Sequence, residues 1–122
     1  MLDIVAVGCG GFIGAVLRYL IGLIPVNEST VFPIKTFLIN VVGCILIGLI
    51  AVYAGKHAEV NPKLILFLKV GICGGFTTFS SFALESTDLI KGGHAGVAVL
   101  YVLLSVIVGV SVIMGTEILV GK

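Results

Sequence analysis

Four apolar stretches, at about residues 2–24, 34–54, 62–90 and 95–119, take up most of the 122-residue chain. Each is long enough to cross a bilayer core of about 30 Å, which takes roughly 20 helical residues. At that depth no water is available to the backbone, and a helix satisfies its own N–H and C=O groups. Only 11% of the residues are charged, against about 25% in an ordinary soluble domain. The expectation is an all-α integral membrane protein with four transmembrane helices in a single domain, residues 1–122.

The third stretch contains a contradiction. Midway along it runs Gly71-Ile72-Cys73-Gly74-Gly75-Phe76-Thr77-Thr78-Phe79-Ser80-Ser81-Phe82, followed by Glu85 and Asp88. Backbone this rich in glycine is poor helix. Freed amide groups at membrane depth cost several kcal/mol each unless protein or ions satisfy them. The third helix is therefore expected to be broken, and the break to be buried in protein or to line an aqueous path.

Composition closes off several classes. The net charge is +1 with no basic cluster, so nothing points to nucleic acid. Asp3 stands where a basic n-region would be, and the first stretch reads as a retained helix and not a signal peptide. Cys9, Cys44 and Cys73 are scattered inside apolar segments, with neither disulfide nor metal-ligand spacing. No nucleophile–base pairing appears either, so an enzyme is not expected.

Four spans put both termini on one side. Lys56, Lys63, Lys69 and Lys122 belong to that side, and Lys35, Lys91 and Arg18 to the other. Orientation follows the excess of such charges, and four against three is almost none. A chain with so little preference could insert both ways, and two opposed copies could pair about a two-fold axis in the membrane plane. Gly10-xxx-Gly14 adds a small-residue face for close helix packing.

Polar residues recur at helical spacing. Thr36 and Asn40 lie one above the other on the second span, with Gly43 and Cys44 continuing the face. The Asn40 amide is either interhelical glue or a two-proton donor for an anion. Phe79 and Phe82 share a stripe after the break; ring edges are electropositive and can touch an anion without formal charge, although such spacing also serves core packing. Tyr101 and Ser105 share a face of the fourth span. Arg18 fits either a vestibule charge or an interfacial anchor near Pro25. Glu85 and Asp88 suit a proton relay, a cap, or a pair with Lys91.

The segments Gly10-Gly11-x-x-Gly14-Ala15-x-x-Arg18-Tyr19, Thr36-x-x-x-Asn40-x-x-Gly43 and Gly71-x-Cys73-Gly74-Gly75-Phe76-Thr77-Thr78-Phe79-Ser80-x-Phe82 resemble the Fluc (CrcB) fluoride channels. The resemblance implies an antiparallel, dual-topology homodimer with two pores, exporting fluoride passively through a bacterial inner membrane. It implies a structural sodium ion, Na+, at the dimer centre, held by the backbone carbonyls of Gly74 and Thr77. Phe79 and Phe82 would form an aromatic box beside Asn40. Thr36, Ser81, Tyr101 and Ser105 would line the fluoride pathway, with Arg18 in the vestibule and lipid around the dimer. Ser81 stands where threonine is frequent, Ile72 where phenylalanine is, and Lys35 where glycine often precedes the threonine. Lys35 would add a positive charge near one pore mouth. The alternatives are a proton-coupled small multidrug-type exporter using Glu85, or an assembly subunit whose polar residues only hold helices together.

Overall fold

The computed structural model describes residues 1–26 and 31–121. The polar run Asn27–Thr30, expected to close the first span, and Lys122, counted with the terminal side, lie outside the described residues. The elements are α1 (Leu2–Gly22), α2 (Ile34–Lys56), α3 (Pro62–Ile65), a π-helical segment Leu66–Cys73, α4 (Gly74–Phe76), α5 (Phe79–Lys91) and α6 (Ala95–Val120). No strand occurs among the described residues. The four spans Leu2–Gly22, Ile34–Lys56, Pro62–Lys91 and Ala95–Val120 are each long and apolar enough to cross a membrane.

Local chemistry sets several ends. Pro62 occupies the first turn of α3, and the Asn61 side chain caps it by accepting from the Lys63 N–H at 2.9 Å. Gly93, at φ 85°, makes the tight connection from α5 to α6, a conformation that favours glycine. At the ends facing the termini, Lys63 pairs with Asp3 at 2.9 Å and Lys56 donates to the Val120 carbonyl at 2.8 Å.

Two helix pairs make up the bundle. α1 runs parallel to the first half of the third span, and the two backbones nearly touch: a Cβ on Gly71 would lie 2.8 Å from Gly10 Cα, and one on Gly75 2.6 Å from Gly11 O. Gly10 and Gly14 meet the same surface from the other side, against backbone atoms of Phe67, Gly71, Ile72, Gly75 and Phe76. α2 runs parallel to α6, joined by close approaches of Gly48 to Thr116 and Gly109 to Cys44. α5 leaves α1 and packs antiparallel on α6, where Leu89, Ala98 and Tyr101 form a buried cluster with Phe32, Phe37 and Phe82 against it.

The expected break is present, but its cause differs from the one inferred. Gly71 lies in the π-helical segment and Gly74 and Gly75 in α4; the backbone leaves the helix only at Thr77 (φ −80°, ψ 159°) and Thr78 (φ −148°, ψ 124°). Gly71 and Gly75 are there because α1 approaches too closely for a side chain. The break itself is held by polar contacts to the two threonines. It lets one span serve two partners, α1 before it and α6 after it.

The buried core is thin. Ile39, Cys73, Phe76, Leu89, Ala98 and Tyr101 are its apolar members, while large apolar side chains along all four spans remain exposed. Exposure on this scale suits a lipid environment, which is as apolar as the side chains themselves.

Candidate functional site

The break begins with the threonines. Thr77 turns its hydroxyl back to the Cys73 carbonyl at 2.9 Å, and its N–H bonds the same oxygen at 3.0 Å. Its methyl packs on Gly43 of α2, a position where no side chain would fit. Thr78 caps α5, its hydroxyl accepting from Ser81 N–H at 3.2 Å.

Asn40 holds the other side. Its Oδ1 accepts from Thr78 N–H at 2.9 Å and its Nδ2 donates to the Thr78 carbonyl at 3.2 Å. Both backbone groups that the break frees at Thr78 are thus satisfied by one amide. Glue and donor are not exclusive here, because an Asn NH₂ carries two protons and Thr78 takes one. Asn40, Gly43, Thr77, Phe79, Phe82 and Ser105 line a groove of about 420 Å³, which also reaches Gly74 and Lys69.

Phe79 and Phe82 adjoin with ring centroids 5.8 Å apart and planes tilted by 54°. Their surroundings differ. Phe82 is half-buried and meets Tyr101 edge-on at 5.0 Å, whereas Phe79 is 78% exposed in the single chain. Gly74 is also exposed. The groove is therefore open along the side that carries Phe79.

Behind Phe82 lies an arrangement that spacing along single helices did not reveal. Thr36 donates to Glu85 Oε2 at 2.7 Å, and Tyr101 donates to Glu85 Oε1 at 2.9 Å. One carboxylate thus ties α2 to α6 through α5. Lys91 is not its partner, as had been one expectation. Thr36 is buried and Tyr101 fully so. The only available signal was that Thr36, Glu85 and Tyr101 share a depth when three spans are laid side by side. Ser105 follows one turn beyond Tyr101, and its buried Oγ has no hydrogen-bond partner among the described residues.

Arg18 is placed differently from the expected reach toward Pro25. Its Nε donates to the Gly75 carbonyl at 3.3 Å, at the C-terminal end of the first half of the third span. Cations favour such ends, where carbonyls are unpaired. Lys35 likewise donates to the Gly22 carbonyl at 2.8 Å, at the end of α1. That bond occupies the extra charge at a helix end. A separate, mainly apolar crevice of about 470 Å³ lies between α2 and the start of the third span, with Tyr53, Lys56 and His57 as its polar lining residues.

Proteins of similar sequence place the chain in a family. The family model described as "CrcB-like protein, Camphor Resistance (CrcB)" matches residues 5–116. The chain belongs to the CrcB family. A CrcB relative from Ruminiclostridium cellulolyticum, named "Fluoride-specific ion channel FluC", is 47% identical over 107 residues, covering 87% of this chain and 82% of its own. One of the same name from Flavobacterium psychrophilum is 44% identical over 111 residues, 89% of each chain. Another, from Methylobacillus flagellatus, is 37% identical over 111 residues, 89% of this chain and 87% of its own. These relatives are named as ion channels and not as enzymes. With four apolar helices in such a family, the chain is a multi-pass membrane protein. Neither comparison supports a multidrug-type exporter.

Proposed function

We propose that this protein is a fluoride channel that lets the ion run down its electrochemical gradient out of the cytoplasm, relieving fluoride toxicity. The observation that carries the reading is the groove at the helix break. There an amide, a buried hydroxyl with no partner among the described residues and two adjacent phenylalanines converge, with Lys69 as a charged lining residue and no carboxylate beside it. Fluoride is small and strongly hydrated, so a selective path has to replace its water with donors. It also has to bind weakly enough to release the ion, which uncharged donors and ring edges permit. Such donors suit the ion that the relatives' names specify.

Thr36, Asn40, Phe79, Ser81, Phe82, Tyr101 and Ser105 form the pathway in this reading, and Arg18 supplies positive potential from the vestibule. The open side of the groove, with Phe79 and Gly74 uncovered, favours completion by a second copy. The near-balanced charges make that copy antiparallel, giving a dual-topology homodimer with two pores, set in lipid of a bacterial inner membrane.

A structural sodium at the dimer centre fits the residues present. The first half of the third span ends at Phe76 and Thr77 turns extended, and carbonyls at such half-helix ends coordinate sodium in other membrane proteins. The Gly74 and Thr77 carbonyls of two copies would hold it. Bound there, the ion would occupy carbonyl oxygens at mid-membrane and raise the local potential for anions.

The decisive measurement is fluoride efflux from liposomes holding the purified protein. Efflux of fluoride far faster than chloride is expected; no efflux, or equal rates, ends the proposal.

A further inference from the structure

Glu85 is the residue the proposed pathway has least use for, since a carboxylate repels the ion. Its geometry gives it a task. The Thr36 and Tyr101 hydroxyls each carry a single donor proton, and both protons are spent on Glu85, at 2.7 and 2.9 Å. A hydroxyl that donates to Glu85 has nothing left to donate to fluoride. One turn further along α6, the buried Ser105 Oγ has no such acceptor. The row of donors thus has one position open and the next filled by an anion of the protein's own.

Resting on the fluoride-channel reading, we infer that Glu85 is a tethered competitor for the Thr36–Tyr101 donor pair, which fluoride engages only when the carboxylate withdraws. Two negative charges cannot share the pair, so occupancy alternates between them. Because the carboxylate is tethered, it competes at a high fixed local concentration. It returns as the ion moves on, so it weakens fluoride binding and speeds release. This is how a path built from strong donors escapes holding its ion too tightly, since entry and exit must both be easy. Glu85 acts through the two hydroxyls and is a positioning residue in that sense.

The test is the concentration dependence of fluoride flux through the assembled protein in liposomes. Glutamine matches glutamate in size, but its one carbonyl oxygen accepts where two carboxylate oxygens did, and it carries no charge. Glu85→Gln should lower the half-saturating fluoride concentration about tenfold, equivalent to ~1.4 kcal/mol, without raising the maximal rate. Glu85→Asp, whose shorter arm cannot span both hydroxyls, should shift it the same way by about threefold, and carries the test should the glutamine variant fail to assemble. Tyr101→Phe should raise the half-saturating concentration, because a donor to the ion is lost. A purely structural Glu85 predicts lower flux at every concentration with half-saturation unchanged, and that result overturns the inference. A conducting wild type with an unshifted or raised value in Glu85→Gln overturns this inference alone. A wild type without fluoride flux overturns the channel reading and this inference together.

Discussion

Asn40 carries a disproportionate share of the architecture because one side chain satisfies both polar groups of Thr78. Asn40→Ala leaves a backbone N–H and C=O unpaired at membrane depth, where removing a partner costs about 1–3 kcal/mol per group. The expected outcome is a lower midpoint for thermal unfolding in detergent and loss of fluoride efflux. Asn40→Asp keeps the acceptor for Thr78 N–H but not the donor to its carbonyl, so it should retain more stability than alanine while still impairing flux. Unchanged unfolding in Asn40→Ala would mean that the break holds itself. The two phenylalanines separate the same way. Phe79→Ile and Phe82→Ile should each slow efflux strongly with the dimer intact. Only Phe82→Ile should also lower the unfolding midpoint, since only Phe82 packs edge-on against Tyr101. Edge-on aromatic pairs contribute about 0.5–1.5 kcal/mol beyond their buried area, which sets the size of that difference.

At the scale of elements, the contact between α1 and the third span is made by glycine on both sides. Gly14→Leu would drive a side chain into backbone atoms of Ile72, Gly75 and Phe76, which have no rotamer by which to yield. The expected result is failure to assemble, read as aggregation on size exclusion in detergent. Gly22→Leu, with open space around it, should elute as the parent does. This contact also shows what was legible in the sequence. Gly10-xxx-Gly14 announced a close-packing face on one helix, and the four apolar lengths gave the spans to within a few residues. Spacing along one helix says which residues share a face, but not which helix faces them. Spacing alone therefore reads Gly71 and Gly75 as helix breakers, points Arg18 toward Pro25, and does not show the bridge from Thr36 through Glu85 to Tyr101. The π-helical segment Leu66–Cys73 is not marked by any pattern read from the residues.

For the whole molecule, the question is why the Lys and Arg charges are so nearly balanced between the two ends of the spans. Lys35 and Lys56 are each bonded to the final carbonyl of a neighbouring helix, and Lys63 is paired with Asp3. These cations serve as fasteners at both faces of the bundle, and fasteners are needed at both faces whichever way the chain inserts. Charges distributed for that purpose give the insertion machinery little to read, since orientation follows the excess of Lys and Arg on one side. In the antiparallel reading proposed above, an opposed copy covers the groove with exposed Phe79. The prediction is a complementation. Ala58→Arg with Glu59→Arg loads the connection between α2 and α3, and His94→Arg with Gly96→Arg loads the opposite face, all at exposed positions. Expressed alone, each double variant should adopt one orientation, shown by cysteine accessibility at an added terminal cysteine, and should fail to protect cells from fluoride. Expressed together, they should restore protection to near the parent level. Full protection from either variant alone would mean that copies in one orientation suffice, and the antiparallel pairing would have to be given up.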